Sequence, residues 1–104
     1  MGLVRLCAVG DVPAGEARRF PLGERQVAVV NLGDEGFRVV DAVCSHAHYY
    51  LDEGEVDVEE RTIECPKHGS TFDLETGKPT SLPALVPVEA FAVKVENDNV
   101  MIEV

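Results

Sequence analysis

Apolar and polar residues alternate with a period of two along both ends of the chain. Phe91-Ala92-Val93-Lys94-Val95 is the clearest run, and its period is that of a strand, not the 3.6 of a helix. The same reading predicts strands over 3–8, 18–21, 26–31, 37–42, 88–96 and 100–104. Gly23-Glu24 and Gly33-Asp34-Glu35-Gly36 separate neighbouring runs as hairpin turns. Asn97-Asp98-Asn99 predicts a three-residue turn between the last two strands. Asp11-Val12-Pro13-Ala14-Gly15 is loop chemistry. No window carries a long amphipathic helix, and a single helical turn is expected near 47–52. These elements predict an all-β class, a small antiparallel sandwich or barrel.

The middle of the chain breaks the pattern. From 43 to about 85 it is rich in Pro, Gly, acids, Cys and His, with little continuous strand signal. A stretch of that length without regular structure needs a reason inside a compact domain, and a metal centre supplies one. Two short boxes mark it: Cys44-Ser45-His46 and Cys65-Pro66-Lys67-His68-Gly69-Ser70, with eighteen residues between His46 and Cys65. Two loops of this kind can close around one centre. Thiolate is soft and imidazole borderline, so the mixed set suits zinc or an iron–sulfur cluster. Zinc sites usually pair like with like within a box. Here each box holds one Cys and one His, the order expected if two Cys hold one iron and two His the other.

At 104 residues the chain supports one domain with a modest core, which a loop-stapling metal centre would reinforce. Nineteen acids against nine bases give a net charge of −10. That repels nucleic acid and anionic lipid and suits a partner with a basic face. Three cysteines (Cys7, Cys44, Cys65) do not form a secreted disulfide framework. Residues 1–10 lack signal-peptide character, no apolar run reaches membrane-spanning length, and a cytoplasmic location is expected.

Together the boxes and the turns behind them resemble the Rieske ferredoxins, the electron-transfer components of multicomponent aromatic-ring hydroxylating dioxygenases and their bacterial relatives. The likeness runs through Cys44-Ser45-His46-Ala47, Leu51-Asp52-Glu53-Gly54, Cys65 to Ser70, Phe72-Asp73, Thr76-Gly77-Lys78-Pro79, Leu82-Pro83-Ala84 and Val86-Pro87-Val88. It implies a Rieske fold, an antiparallel sandwich or barrel-like β base (1–42 and 86–104) with a small cluster-binding subdomain (about 43–85). It implies one Rieske 2Fe–2S cluster ligated by Cys44, His46, Cys65 and His68. Ala47, Lys67, Ser70, Phe72, Leu82 and Pro83 would surround it. His46 and His68 would lie towards solvent, and 82–84 would form a third loop over the cluster.

Neutral imidazoles leave the oxidised centre near zero charge, about two units above a four-thiolate centre, so they favour reduction. The respiratory-complex Rieske proteins add to each box a Cys that forms a disulfide, and a Tyr that hydrogen-bonds a cysteine sulfur. The matching positions here are Tyr49, Lys67 and Phe72. Without the Tyr donor the potential is expected towards the low part of the roughly −150 to +300 mV Rieske range. Ser70 keeps a hydroxyl where a donor to a bridging sulfide would sit.

The resemblance implies a monomeric electron carrier with no catalytic residue, reduced by a flavin-dependent reductase and docking on a terminal oxygenase. The acid run Asp52, Glu53, Glu55, Asp57, Glu59, Glu60 is read mainly as a solvated face, with a steering field beside the cluster as its functional reading. Ala47, Tyr49, Lys67, Leu82 and Pro83 would rim the contact spot. Cys7 is read as a buried small hydrophobe and His48 as a neighbour of the site. The rival readings are a ferredoxin for iron–sulfur assembly or another oxidoreductase, a small nitrite reductase subunit, a zinc-binding module and a redox sensor.

Overall fold

The computed structural model describes residues 2–45, 49–67, 69–81 and 86–104. Ten strands run in chain order: β1 (Leu3–Ala8), β2 (Ala17–Leu22), β3 (Arg25–Asn31), β4 (Phe37–Asp41), β5 (Val56–Asp57), β6 (Thr62–Glu64), β7 (Thr71–Asp73), β8 (Ala90–Phe91), β9 (Val93–Glu96) and β10 (Asn99–Glu103). They form three antiparallel sheets ordered β1-β10-β9, β2-β3-β4-β8 and β5-β6-β7. Among the described residues the helical segments are three short 3₁₀ turns, at Val9–Asp11, Gly33–Glu35 and Leu51–Glu53.

The four-stranded sheet is a wall between two cores. Val27, Ala28, Val29 and Val30 are all fully buried, as a strand covered on both faces requires. Val27, Val29 and Val39 point into a cluster with Leu6, Cys7, Val12, Val100 and Ile102. Ala28, Val30, Val40 and Ala42 point the other way, into a cluster with Cys44, Leu51, Ile63, Cys65, Phe72, Leu74 and Val88. The two-residue period of the strands therefore sorts the side chains between a base core and a core under the Cys/His boxes.

Three local expectations need correction. The 88–96 run is two strands: Ala90 and Phe91 pair with Val40 and Val39, whereas 93–96 pair with β10. The chain switches sheets at Ala92, a corner that alternation alone does not show. The turn after it has two residues. Glu96 pairs with Asn99, and Asn97 and Asp98 both hold positive φ, 50° and 64°, as a type I′ turn demands and as Asn and Asp tolerate. Third, the middle segment is not one long loop, since β5-β6-β7 lies within it. Its strands have two or three residues each, too short to show a period. The Gly23-Glu24 hairpin holds, with Leu22 opposite Arg25 and positive φ at Gly23.

Candidate metal centre

The first box sits at the end of a small hairpin. Leu51 N–H donates to Ala42 C=O (2.7 Å) and Cys44 N–H to Tyr49 C=O (2.9 Å), and Val43 bridges Tyr50. Residues 42–44 and 49–51 are thus a stem, and Cys44 stands at its open end. The second box follows β6. Cys65 N–H donates to Ser70 C=O (2.7 Å), and Gly69 N–H donates back to Cys65 C=O (3.1 Å). Gly69 has φ +75°, the left-handed conformation that a turn this tight needs and that glycine adopts without strain.

Both thiols face inward. Cys44 is 3% exposed and Cys65 is fully buried; they share one apolar cluster and neither forms a disulfide. Cys7 is equally buried but lies in the other core, across the β2-β3-β4-β8 wall. Burial, with Asp11 adding to it, pushes the Cys7 thiol above the ordinary range, which suits an inert apolar role. His46, Ala47, His48, His68, Leu82 and Pro83 lie outside the described residues. The described residues contain no group of three or more potential metal ligands; that set holds the two thiols and neither box's histidine.

Neighbouring positions fall into place around the thiols. Ser70 is the one buried polar side chain among the described residues. Phe72 is fully buried, pairs with Ile63 and bridges Pro79. Asp73 caps its turn by accepting the N–H groups of Glu75 (2.7 Å) and Thr76 (3.2 Å). Gly77, at φ +79°, lies so close to the Val88 carbonyl that a Cβ would sit 1.9 Å from it. Lys67 Nζ lies 5.5 Å from the centre of the Tyr49 ring. A cation–π contact thus joins the stem of the first loop to the second box, at the two positions that the resemblance matches to the disulfide of the respiratory proteins. It is exposed and worth about 0.5–1 kcal/mol.

Hydroxyl and backbone hydrogen bonds tie the flanking segments together. Ser45 Oγ donates to the Val86 carbonyl. Thr71 N–H donates to Ser81 Oγ (2.9 Å), and Thr80 N–H to the Thr71 carbonyl (2.7 Å). Sequence reasoning did not single out these contacts, nor Arg19, whose guanidinium carbon lies 3.6 Å from the centre of the Tyr50 ring. Arg19 Nη1 also stands 3.9 Å from the carboxylates of Asp52 and Glu53. Asp52 departs from the rest of the acid run, because its side chain is only 12% exposed. Burial raises its carboxyl above the ordinary range, and the nearby Arg19 charge offsets that only in part.

The described part of the site fits an iron–sulfur centre. Two soft donors come from two separate loops, meet one buried pocket of the core, and are held by tight backbone turns. Three comparisons with known proteins agree. The family profile described as the Rieske [2Fe-2S] domain matches residues 2–92. The ferredoxin component of biphenyl 2,3-dioxygenase from Rhodococcus jostii (strain RHA1) is 41% identical over 103 residues, 99% of this chain and 94% of that protein. Among solved structures, the ferredoxin of carbazole 1,9a-dioxygenase from Nocardioides aromaticivorans IC177 superposes with a TM-score of 0.91 at 33% identity, over 98% of this chain and 97% of that one. A complex of reduced oxygenase and oxidized ferredoxin in carbazole 1,9a-dioxygenase gives 0.85 at 36% identity, over 96% and 91%. This chain therefore belongs to the Rieske [2Fe-2S] domain family, as an electron-carrying ferredoxin with a Rieske-type 2Fe–2S cluster and not as an enzyme in its own right.

Proposed function

We propose that this chain is the ferredoxin of an aromatic-ring hydroxylating dioxygenase system, taking single electrons from a flavin-dependent reductase and delivering them to a terminal oxygenase. What carries the reading is the near full-length likeness to a ferredoxin component of such a system, 41% identical over 99% of the chain. The whole chain, 1–104, acts as one Rieske domain, with 43–85 holding the cluster on a β base. In this proposal it works as a cytoplasmic monomer. Among the described residues no helix is long and apolar enough to cross a membrane.

In this proposal Cys44 and Cys65 ligate one iron, and His46 and His68 the other. Bound there, the 2Fe–2S group accepts and returns one electron. The protein's own part is to hold the donors still and dry on the thiol side. The core around Cys44 and Cys65, with Leu51, Ile63 and Phe72 fully buried, excludes water from the sulfurs. Phe72 brings no hydroxyl to them, which keeps the potential low.

The docking face is the apolar rim of the first box. Val43, Tyr49 and Val86 are 39%, 40% and 61% exposed, and Ser45 links the first loop to Val86. Lys67 stands in that rim beside Tyr49. The exposed acids Glu53, Glu55, Asp57, Glu59 and Glu60 supply a negative field that draws in a basic partner.

The test mixes the dithionite-reduced chain with a purified biphenyl-type oxygenase in a stopped-flow instrument. Reoxidation of the chain and reduction of the oxygenase should proceed together, several-fold slower at high salt because screening weakens steering. A reduced chain that leaves the oxygenase oxidised would remove the oxygenase as client and leave only the carrier role.

A further inference from the structure

We infer that Arg19 is a positioning residue for the cluster: its guanidinium, stacked on Tyr50, fixes the hairpin stem that presents Cys44. The inference rests on the ligand reading above.

Arg19 is on β2, opposite Ala28 in the base sheet. Its partner Tyr50 lies in the middle of the stem, bridging Val43. The stem itself is short. Its two hydrogen bonds, Leu51 to Ala42 and Cys44 to Tyr49, would not hold an isolated two-stranded ribbon in one geometry. It needs an external brace, and two contacts provide it. Inward, Leu51 is fully buried, and Tyr50 packs against the core that contains both thiols. Outward, Arg19 closes over the Tyr50 ring at 3.6 Å.

The contact that places Arg19 is the stack. Its Nη1 is 3.9 Å from both Asp52 and Glu53, beyond hydrogen-bond reach. Arg19 Nη1 and Asp52 Oδ1 are both buried without a hydrogen-bond partner. The carboxylates therefore attract the guanidinium without fixing its position, whereas the close contact over the ring does. A lysine would keep the charge and lose the planar stack. The base sheet, already tied to the foot of the stem by the Ala42 N–H bond to the Gln26 carbonyl (3.1 Å), is thereby coupled to its outer face through Arg19 as well, so that the donors keep one geometry in both oxidation states, as a preorganised site requires.

The test compares the holo-protein with Arg19→Lys, Arg19→Met, Tyr50→Phe and Tyr50→Leu. Hydrogen–deuterium exchange of the 42–51 segment is read by mass spectrometry, and the reduced cluster by its electron paramagnetic resonance line widths and midpoint potential. Arg19→Lys, Arg19→Met and Tyr50→Leu should each raise exchange in 42–51 at least tenfold and broaden the resonance, with 93–103 unchanged. Tyr50→Phe keeps the ring and should match the parent. The midpoint should fall in Arg19→Met, which loses a positive charge, and hold in Arg19→Lys. Should Arg19→Met not fold, Tyr50→Leu removes the same contact from the other side. Parent-like exchange in Arg19→Lys would show that only the charge matters, and parent-like exchange in Arg19→Met or Tyr50→Leu that the stack is idle; either overturns the inference. The exchange measurement needs no cluster, so a parent chain that bound none would remove the ligand reading separately.

Discussion

Gly54→Ala tests how tightly the two ligand loops are packed together. Gly54 ends the 3₁₀ turn Leu51–Glu53 that leaves the first loop, and its N–H donates to the Leu51 carbonyl at 3.0 Å. A Cβ there would lie 1.6 Å from the carbonyl oxygen of Glu64, 2.8 Å from its carbonyl carbon and 3.3 Å from Pro66 Cδ. Ordinary contact begins at 3.4 Å, so the shortfall from 1.6 Å is 1.8 Å. The obstacle is backbone, and no rotamer change relieves it. Either β6 shifts, losing the 2.8 Å bond from Glu64 N–H to the Glu55 carbonyl, or the 3₁₀ turn opens and loses its own. One lost hydrogen bond at about 1 kcal/mol plus overpacking strain of about 1–3 kcal/mol gives a cost of about 3 kcal/mol. In a domain of this size that lowers the unfolding temperature by about 12 °C or more. Unfolding of a cluster protein is not two-state, so the quantity to compare is the apparent midpoint of cluster bleaching at one scan rate. Gly10→Ala is the control, because nothing lies within 4 Å of its Cβ position. A Gly54→Ala midpoint within about 2 °C of that control, against the 4–8 °C expected per kcal/mol, would refute the packing argument.

Other substitutions separate the two cores and the two kinds of acid. Cys44→Ser, Cys65→Ser, His46→Ala or His68→Ala should abolish iron binding in an iron-per-chain assay, whereas Cys7→Ser, behind the base sheet, should leave it intact. Phe72→Tyr should raise the midpoint by about 60 mV, the one-electron equivalent of about 1.4 kcal/mol, if its hydroxyl reaches a cysteine sulfur; an unchanged potential would deny that position its assigned role. Asp52 should respond to pH. Its folded carboxyl is raised above the ordinary range by burial, so the folded state binds more protons in the window between the two pKa values. The stability this group contributes is present below the unfolded range and is lost as pH rises through the folded pKa. Asp52→Asn should thus be at least as stable as the parent at pH 7, with a flatter acid-side stability profile in denaturant titrations; a marked loss would mean that the Arg19 charge outweighs desolvation.

The all-β class and the two Cys/His boxes are legible in the sequence. Cys44-Ser45-His46 and Cys65-Pro66-Lys67-His68 stand out because residue type and spacing are local properties of the chain. The base strands were also readable, since Val27 to Val30 and the alternating 91–95 run carry burial in their composition. What was hidden depends on contacts between distant segments. Ala92 looks like any strand residue, yet there the chain passes from one sheet to another. The strands β5 to β7 are too short to carry a period, and they are held by pairing with one another. Arg19 gave no signal, because its role appears only when β2 meets Tyr50 thirty-one positions later. Asp52 reads as one member of an acid run taken mainly as a solvated face, and only folding buries it.

The most direct test of the central claim is an electron paramagnetic resonance spectrum of the dithionite-reduced protein, recorded beside the visible spectrum of the oxidised form. A coloured oxidised protein that gives a rhombic, Rieske-type signal on reduction is the predicted result, and it establishes mixed Cys/His ligation of a 2Fe–2S cluster. A colourless, silent protein containing zinc would contradict it, because zinc has no redox chemistry and could not carry an electron.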